Sequence, residues 1–346
     1  MESTQNLKKR LKSVANIGKI TKAMELVAAT KMRKSQEIAL ASRPYAFAAL
    51  DLLANVTLME TELPELLKKR KIQKILYVLV ASDKGLAGAF NSSLFRKFEY
   101  YIKQEKNSDI MQNIKMSEKF FVAVGEKVFQ YLSKNFRTTD SSMVLKKFTQ
   151  VGDFTTTDQV EPLANFLVEG YLKKDWDKVI VFSSHFKSAL KQEPLIREIL
   201  PINFESIKNT IKEIVPETGK FADLRENFVN LNLKSDLPAE ALASPKPSAK
   251  RRSAQAGILN LKEYTIEPSP KIVLESLVKH LFFMQVYHLI LEANASEHSA
   301  RRMAMKTASD NASELGEELN LQYNKARQAG ITNQIIEITA GSESLQ

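Results

Sequence analysis

The chain contains no cysteine. That excludes disulfides, thiolate metal sites, iron–sulfur clusters and a cysteine nucleophile. Glycine and proline are scarce, 11 of each in 346 residues. None falls between Gly18 and Pro44, between Pro44 and Pro64, or from Lys271 to Leu315. Such stretches permit long helices, because these two residues are the main interrupters. Long hydrophobic runs are missing too. Ile75 to Ala81 is too short to span a bilayer and His280 to Ala293 is broken by Gln285 and His288, whereas a spanning helix needs about 20 apolar residues. The polar first residues, with Leu7 beside Lys8, Lys9 and Arg10, do not read as a secretory signal or an amphipathic leader. The expectation is a protein that stays in the compartment where it is made.

What is present is an ordinary soluble composition, 44% hydrophobic and 26% charged, with a net charge of +10. A balance of that sign points to an anionic partner: nucleic acid, a membrane surface or an acidic protein. In the first segment, from about Ser3 to about Leu58, Leu7, Leu11, Val14, Ile17, Ile20, Met24 and Val27 recur at spacings of three and four. That pattern predicts one apolar stripe on a helix roughly 80 Å long, with Ser3 or Thr4 as N-cap. A second long helix is predicted from Pro268 and Pro270 to about Thr339, with an early stripe of Ile272, Leu277, Leu281, Met284, His288 and Leu291. Ala300, Ala304, Ala308 and Ala312 then follow at four-residue spacing, a face that lets another backbone come close. Gly316 and Gly330 are candidate bends. An antiparallel pair of these terminal helices buries both stripes.

The middle alternates strands and helices: strands at Lys74 to Ala81, Phe120 to Val124, Lys178 to Ser183 and Leu195 to Leu200, with helices at Ser92 to Gln104, Glu126 to Lys134 and Asp158 to Lys173. This predicts an α/β unit with a mostly parallel sheet. Residues 203–262 fit neither part, and their Pro-, Ala-, Ser- and Lys-rich core over about 236–253 reads as a mobile loop.

The chemistry-bearing motifs are few. Ser82-Asp-Lys-Gly-Leu-Ala-Gly88 is neither a Walker A loop nor a dinucleotide signature, and reads as glycines serving a tight turn. The four histidines, His185, His280, His288 and His298, form no metal-binding pair. His280 and His288 share a helix face but lie about 12 Å apart along it, too far to share an ion. No nucleophilic triad or paired-carboxylate signature is local to any segment. The first helix is strongly basic: Lys8, Lys9, Arg10, Lys12, Lys19, Lys22, Lys31, Arg33 and Lys34. A solvated face, a nucleic-acid-binding face and a helix lying inside a ring of acidic protein surfaces all fit that pattern.

Four stretches carry a family resemblance. Leu11 to Lys34 (LKSVANIGKITKAMELVAATKMRK) resembles the N-terminal helix of the γ-subunit family of F-type ATP synthases. Ala295 to Asn311 (ASEHSARRMAMKTASDN) and Tyr323 to Gln334 (YNKARQAGITNQ) resemble that family's C-terminal helix. Ser82 to Gly88 is similar to its first strand-to-helix turn. The resemblance implies a mixed α/β fold: a long antiparallel coiled coil from 1–60 and 268–340, a Rossmann-like α/β foot over 70–202, and an insert over 203–262. It implies the central-stalk rotor. Ion flow turns a membrane ring of c subunits, the ring turns the shaft, and the shaft drives the catalytic β subunits of an α/β hexamer through their conformations. The implied partners are the α, β, ε and c-ring subunits within the F1 complex. No nucleic acid, cofactor, metal or active site is implied. The implied place is peripheral, on the cytoplasmic face of the bacterial cell membrane. The family motif carries contact with the hexamer to Arg327, Gln328, Thr332, Met24, Arg301, Lys31 and Arg33, and contact of the foot with the c ring and ε to Tyr264 and Glu267. The insert is longer than in typical bacterial relatives. A chloroplast version of the family has a thiol switch near the same place, which a chain without cysteine cannot build; a brake or docking loop remains the expectation. The rival readings are a basic coiled-coil nucleic-acid-binding protein, with steeply salt-dependent binding, and an α/β enzyme using the central domain.

Overall fold

The structure, a computed structural model, describes residues 3–59, 63–107, 118–136, 142–152, 155–203 and 266–343. Residues 204–262 of the expected insert, with its loop at 236–253, lie outside them. The elements in chain order are α1 (Thr4–Met59), a 3-10 turn (Glu65–Leu67), β1 (Lys74–Val80), α2 (Phe90–Asn107), β2 (Glu118–Val124), α3 (Glu126–Asn135), β3 (Ser142–Phe148), α4 (Thr157–Lys173), β4 (Lys178–Phe186), β5 (Gln192–Leu200) and α5 (Pro270–Glu343). The chain divides into two compact units, residues 1–30 with 301–346 and residues 31–300. The division cuts through both terminal helices.

In the first unit, Ser3 caps α1: the Asn6 N–H donates to Ser3 Oγ at 3.3 Å, satisfying one of the free amides of the first turn. The side of α1 that turns inward runs Leu7, Leu11, Val14, Gly18, Thr21, Glu25 and Ala28, at strict alternation of four and three. This corrects the predicted stripe. Ile17, Ile20 and Val27 are exposed, one position away from a seam built of smaller or polar residues. On α5 the matching positions are Met305, Ser309, Ala312, Gly316, Leu319, Tyr323 and Ala326, buried or half-buried at the same spacing. Both are heptad seams. A methyl group added to Gly18 would sit 3.5 Å from the Ala312 Cβ, so the backbones approach closely there. Small side chains leave a groove of about 720 Å³ beside that contact, between Leu11, Val14 and Leu26 on α1 and Ser313 and Gly316 on α5.

The second unit is built on a five-stranded sheet in the order β3-β2-β1-β4-β5. The first four strands are parallel and β5 runs antiparallel to β4. β1 is buried on both faces, as its uninterrupted apolar run requires. Its alternate residues separate two cores. Tyr77 and Leu79 face α2 and α3 through Phe98, Leu94, Val128 and Leu132. Leu76, Val78 and Val80 share the other core with Leu163 and Leu167 of α4, Leu53 and Val56 of α1, and α5 from Leu274 to Ala293. α1 and α5 run antiparallel here as well. Met32 packs with Ala295, Ser42 Oγ lies 3.4 Å from His288 Nε2, and Tyr45 OH lies 3.0 Å from His280 Nε2. The helix carries Pro44 through this region. In a helix interior that residue costs about 3 kcal/mol relative to Ala, and the Ser42 and Tyr45 contacts with α5 lie on either side of it. The strand β3, absent from the sequence reading, is an edge strand whose Lys146 and Lys147 hide its alternation.

The turn after β1 is filled by its own carboxylate. Asp83 accepts from the Glu126 N–H at the start of α3 and from the Gln150 N–H, both at 2.9 Å. An anion-binding position at a helix N-terminus is thus taken by a side chain of the chain itself. Gly88 has positive φ, as does the exposed, non-glycine Leu86 at 65°. Gly125 is needed for space as well as for its φ of 100°: an added Cβ would lie 2.1 Å from the Ala81 carbonyl oxygen.

From Met284 to Ser299 α5 is buried almost all round, and the burial includes polar groups. Asn294 Nδ2 donates to Val151 O at 2.8 Å and to Thr155 Oγ1 at 2.6 Å. Ser296 Oγ donates to Ser184 O at 3.1 Å and Ser299 Oγ to Ala189 O at 2.7 Å. At the centre is Glu292, fully enclosed. Arg197 of β5 approaches it with Nη1 at 2.9 Å from Oε2 and Nη2 at 3.4 Å from Oε1, and His185 of β4 meets Oε1 through Nδ1. Burial pushes the Glu292 carboxyl up, but the charge of Arg197 and the hydrogen bond from His185 outweigh it, and the group is held below the ordinary carboxylate range.

Two outcomes follow from these contacts. Arg197→Met strands a buried carboxylate and should cost about 3–5 kcal/mol in denaturant unfolding. Because Glu292 ionises at lower pH in the folded chain than in the unfolded one, its contribution is complete above the unfolded value of about 4.3 and disappears as pH falls through the folded value. Glu292→Gln should therefore flatten the acid limb of a stability–pH curve while lowering stability near neutrality. Gly125→Val, which meets both a clash and a left-handed backbone, should cost about 3 kcal/mol or more in the same assay.

Candidate functional site

No cluster of described residues has the arrangement of a metal centre. The residues singled out from the sequence fall instead on helix surfaces, in two groups.

The first group lies in the coiled-coil unit. The register is set by Gly18 opposite Ala312 and by Glu25, which feels the charges of Arg302 and Lys306 on α5. The hydrogen bond from Lys22 Nζ, at 2.9 Å, is the largest influence on Glu25 and holds its carboxyl below the ordinary range against the effect of burial. The fourteen residues that lead back from Gly18 to Thr4, the first residue of α1, correspond on α5 to the fourteen from Ala312 to Ala326. Residues 327–343 of α5 therefore project past the start of α1. Arg327, Gln328 and Thr332 stand at that step and are exposed. The Thr332 hydroxyl donates to Gln328 O at 3.0 Å, which ties it to its own helix. No charged residue lies between Arg327 and Glu337, and Ile331, Ile335, Ile336 and Ile338 are all at least half exposed. These isoleucines were not picked out from sequence. Their signal is present, as apolar residues at i, i+4 and i+5 past the start of the partner helix, and among the described residues they are left exposed.

Met24 and Arg301 belong to the same unit and are half-buried. Met24 sits in the exposed stripe Ile17, Ile20, Met24 and Val27, with Leu26 60% exposed beside it. α1 thus has two parallel stripes one residue apart, an inner one of small residues against α5 and an outer one of larger apolar residues. The apolar periodicity of the sequence follows the outer stripe.

The second group lies in the sheet unit. Lys31 is half-buried and Arg33 exposed on α1. Glu267 is exposed just before α5, joined to Pro268 by a cis peptide. Tyr264 lies outside the described residues. The structure does not bring Glu267 together with Lys31 or Arg33 in any shared hydrogen bond or ion pair among the described contacts. Among the described residues no helix is long and apolar enough to cross a membrane.

Comparison with known proteins places these features. The sequence model of the family described as ATP synthase matches residues 3–345. The ATP synthase gamma chain of Opitutus terrae is 35% identical over 342 residues, covering 98% of each chain. That of Herpetosiphon aurantiacus is 33% identical over 354 residues, covering 100% of this chain and 99% of the other. Among solved structures, a chain of the Euglena gracilis mitochondrial ATP synthase, in its OSCP/F1/c-ring assembly, superimposes with a TM-score of 0.56 at 16% identity, covering 99% of this chain and 94% of that one. A chain from the rotor of the same enzyme gives 0.54 at 17%. The structural likeness concerns the fold, a central α/β body with two long terminal helices, and the sequence match extends from end to end: the chain belongs to the ATP synthase gamma chain family.

Proposed function

We propose that this chain is the rotating central stalk of an F-type ATP synthase, a non-catalytic subunit that couples ion-driven rotation of a membrane c ring to conformational cycling of catalytic β subunits. The observation that carries the reading is the pair of exposed surfaces on the coiled-coil unit: the outer apolar stripe of α1 and the isoleucine-rich stretch of α5 past Arg327, which has no charge before Glu337. Exposed apolar surface of this extent is a mark of contact with other proteins. Apolar contacts are non-directional, so a surface that lacks ion pairs can leave one neighbour and meet an identical one without breaking fixed bonds.

On this reading the stalk does its work by differential contact. A partner shifts a conformational equilibrium only as far as it binds the two states differently, and a shaft with unlike faces offers each β subunit a different surface at each step. Arg327, Gln328 and Thr332, where the single helix emerges from the pair, and Met24 and Arg301 lower down would meet the hexamer. Lys31 and Arg33 would meet it near the body. Glu267, with Tyr264, would lie toward the c ring and ε. Catalytic sites belong to the β subunits, and the chain needs no cofactor of its own. It would sit peripherally on the cytoplasmic face of a bacterial cell membrane. The full-length family match draws the basic face of α1 toward acidic protein surfaces; nothing in the fold favours nucleic acid.

Expressed with a tag on the body, the chain should co-purify with α and β subunits and ATPase activity; isolation without them would overturn the reading. Replacing both Arg327 and Gln328 with Ala should change the unfolding free energy by less than about 0.5 kcal/mol, since both are exposed, yet lower turnover or ATP-driven ion uptake of the assembled enzyme several-fold. Wild-type turnover and uptake in that double variant would remove both residues from the mechanism.

A further inference from the structure

Within the sheet unit, we propose that Glu292, Arg197 and His185 form the clamp that fixes the axial and rotational setting of α5 on the sheet, and that turning load passes between sheet and helix through it. This rests on the rotor reading and deepens it by naming where in the body the helix is gripped.

Past the large apolar residues from Leu274 to Leu291 that pack on the sheet, α5 continues as Glu-Ala-Asn-Ala-Ser-Glu-His-Ser-Ala from Glu292 to Ala300. Its apolar contacts are made by small residues such as Ala293 and Ala295. Small, repeated side chains distinguish poorly between neighbouring settings of a helix, because a slide of one turn replaces Ala295 by Ser299 with little change in shape. The hydroxyl bonds of Ser296 and Ser299 go to backbone carbonyls, Ser184 O and Ala189 O, which recur along any strand or loop. The charged group is different. A one-turn slide would bring Ser296 to the place of Glu292 and leave the buried Arg197 guanidinium without its carboxylate. Rotation of α5 about its own axis would do the same to His185. The guanidinium approaches both carboxylate oxygens, Oε2 as an ion pair and Oε1 through a hydrogen bond, and two points of contact resist rotation as well as translation. The three residues come from three elements, β4, β5 and α5, so the grip reaches two adjacent strands at once. Buried ionic groups are poor sources of stability compared with apolar residues of similar volume, and their best-attested use is to specify one register.

The clamp is tested by removing its charge without emptying the site. The triple replacement Glu292→Leu, Arg197→Met and His185→Leu should keep or raise the thermal midpoint of the chain. With no native cysteine, spin labels can be placed singly at Lys279→Cys on α5 and Lys191→Cys before β5, both exposed positions. The unaltered chain should give one narrow label-to-label distance distribution, and the triple variant a broadened or multimodal one. In the assembled enzyme in vesicles, ion uptake per ATP hydrolysed should fall at least threefold in the triple variant while hydrolysis persists. A single narrow distance and a wild-type uptake ratio in that variant would overturn the clamp. If the triple variant does not assemble, Glu292→Gln, which keeps the volume and loses the charge, must show the lowered ratio; a wild-type ratio there overturns the proposal equally. The distance measurement is independent of partners. An unaltered chain that fails to support uptake at all would therefore refute the rotor reading and leave the clamp to be judged by the distances.

Discussion

A helix buries only a stripe, and around Gly18 the stripe that holds α1 to α5 is made of small and polar residues. Gly18, Thr21, Glu25 and Ala28 on one side and Ser309, Ala312 and Gly316 on the other bring the backbones close but bury little apolar area per turn. At about 25 cal/mol for each Å² of apolar surface removed from water, such a seam is weakly held compared with one of Leu and Ile. The strong attachment lies in the sheet unit, where Leu53 and Val56 of α1 and the stretch of α5 from Leu274 to Ala293 complete the core over β1, β2 and β4. Apolar burial anchors the helices there, and the polar groups from Glu292 to Ser299 decide how they sit. In the coiled-coil unit Ile17, Ile20, Leu26 and Val27 of α1 stand exposed, away from the partner helix.

That last fact explains where sequence reasoning succeeded and where it slipped. The two terminal helices were legible because long stretches lack glycine and proline and keep a helical apolar period. β1, β2 and β4 were legible because a central parallel strand is apolar on both faces. Of the inner stripe of α1, Leu7, Leu11 and Val14 were legible, but Gly18, Thr21, Glu25 and Ala28 were not. Ile17, Ile20 and Val27 outweigh Gly18, Thr21 and Ala28 in hydrophobicity, so the period points at the outer face, and a surface destined for another protein looks, in sequence, like a core. β3 was missed for the opposite reason: an edge strand bearing Lys146 and Lys147 resembles a loop.

The proposed contact residues rest on family resemblance alone. Arg327, Gln328 and Thr332 have no local chemistry that distinguishes them from other exposed helix residues; what sets them apart is that α1 ends opposite Ala326, a fact of pairing between segments three hundred residues apart. The Glu292 cluster was invisible for a related reason. A glutamate in an apolar helix announces that something must answer its charge, but Arg197 and His185 belong to a hairpin whose packing on α5 no periodicity reveals.

The turn after β1 has a wider meaning. In sheets of this topology the end of the first strand is where nucleotides are usually received, with a helix terminus offering its partial positive charge. Here the Asp83 carboxylate of that turn bonds to the amides of Glu126, at the start of α3, and of Gln150. One side chain thus stitches together the ends of three neighbouring strands, β1, β2 and β3.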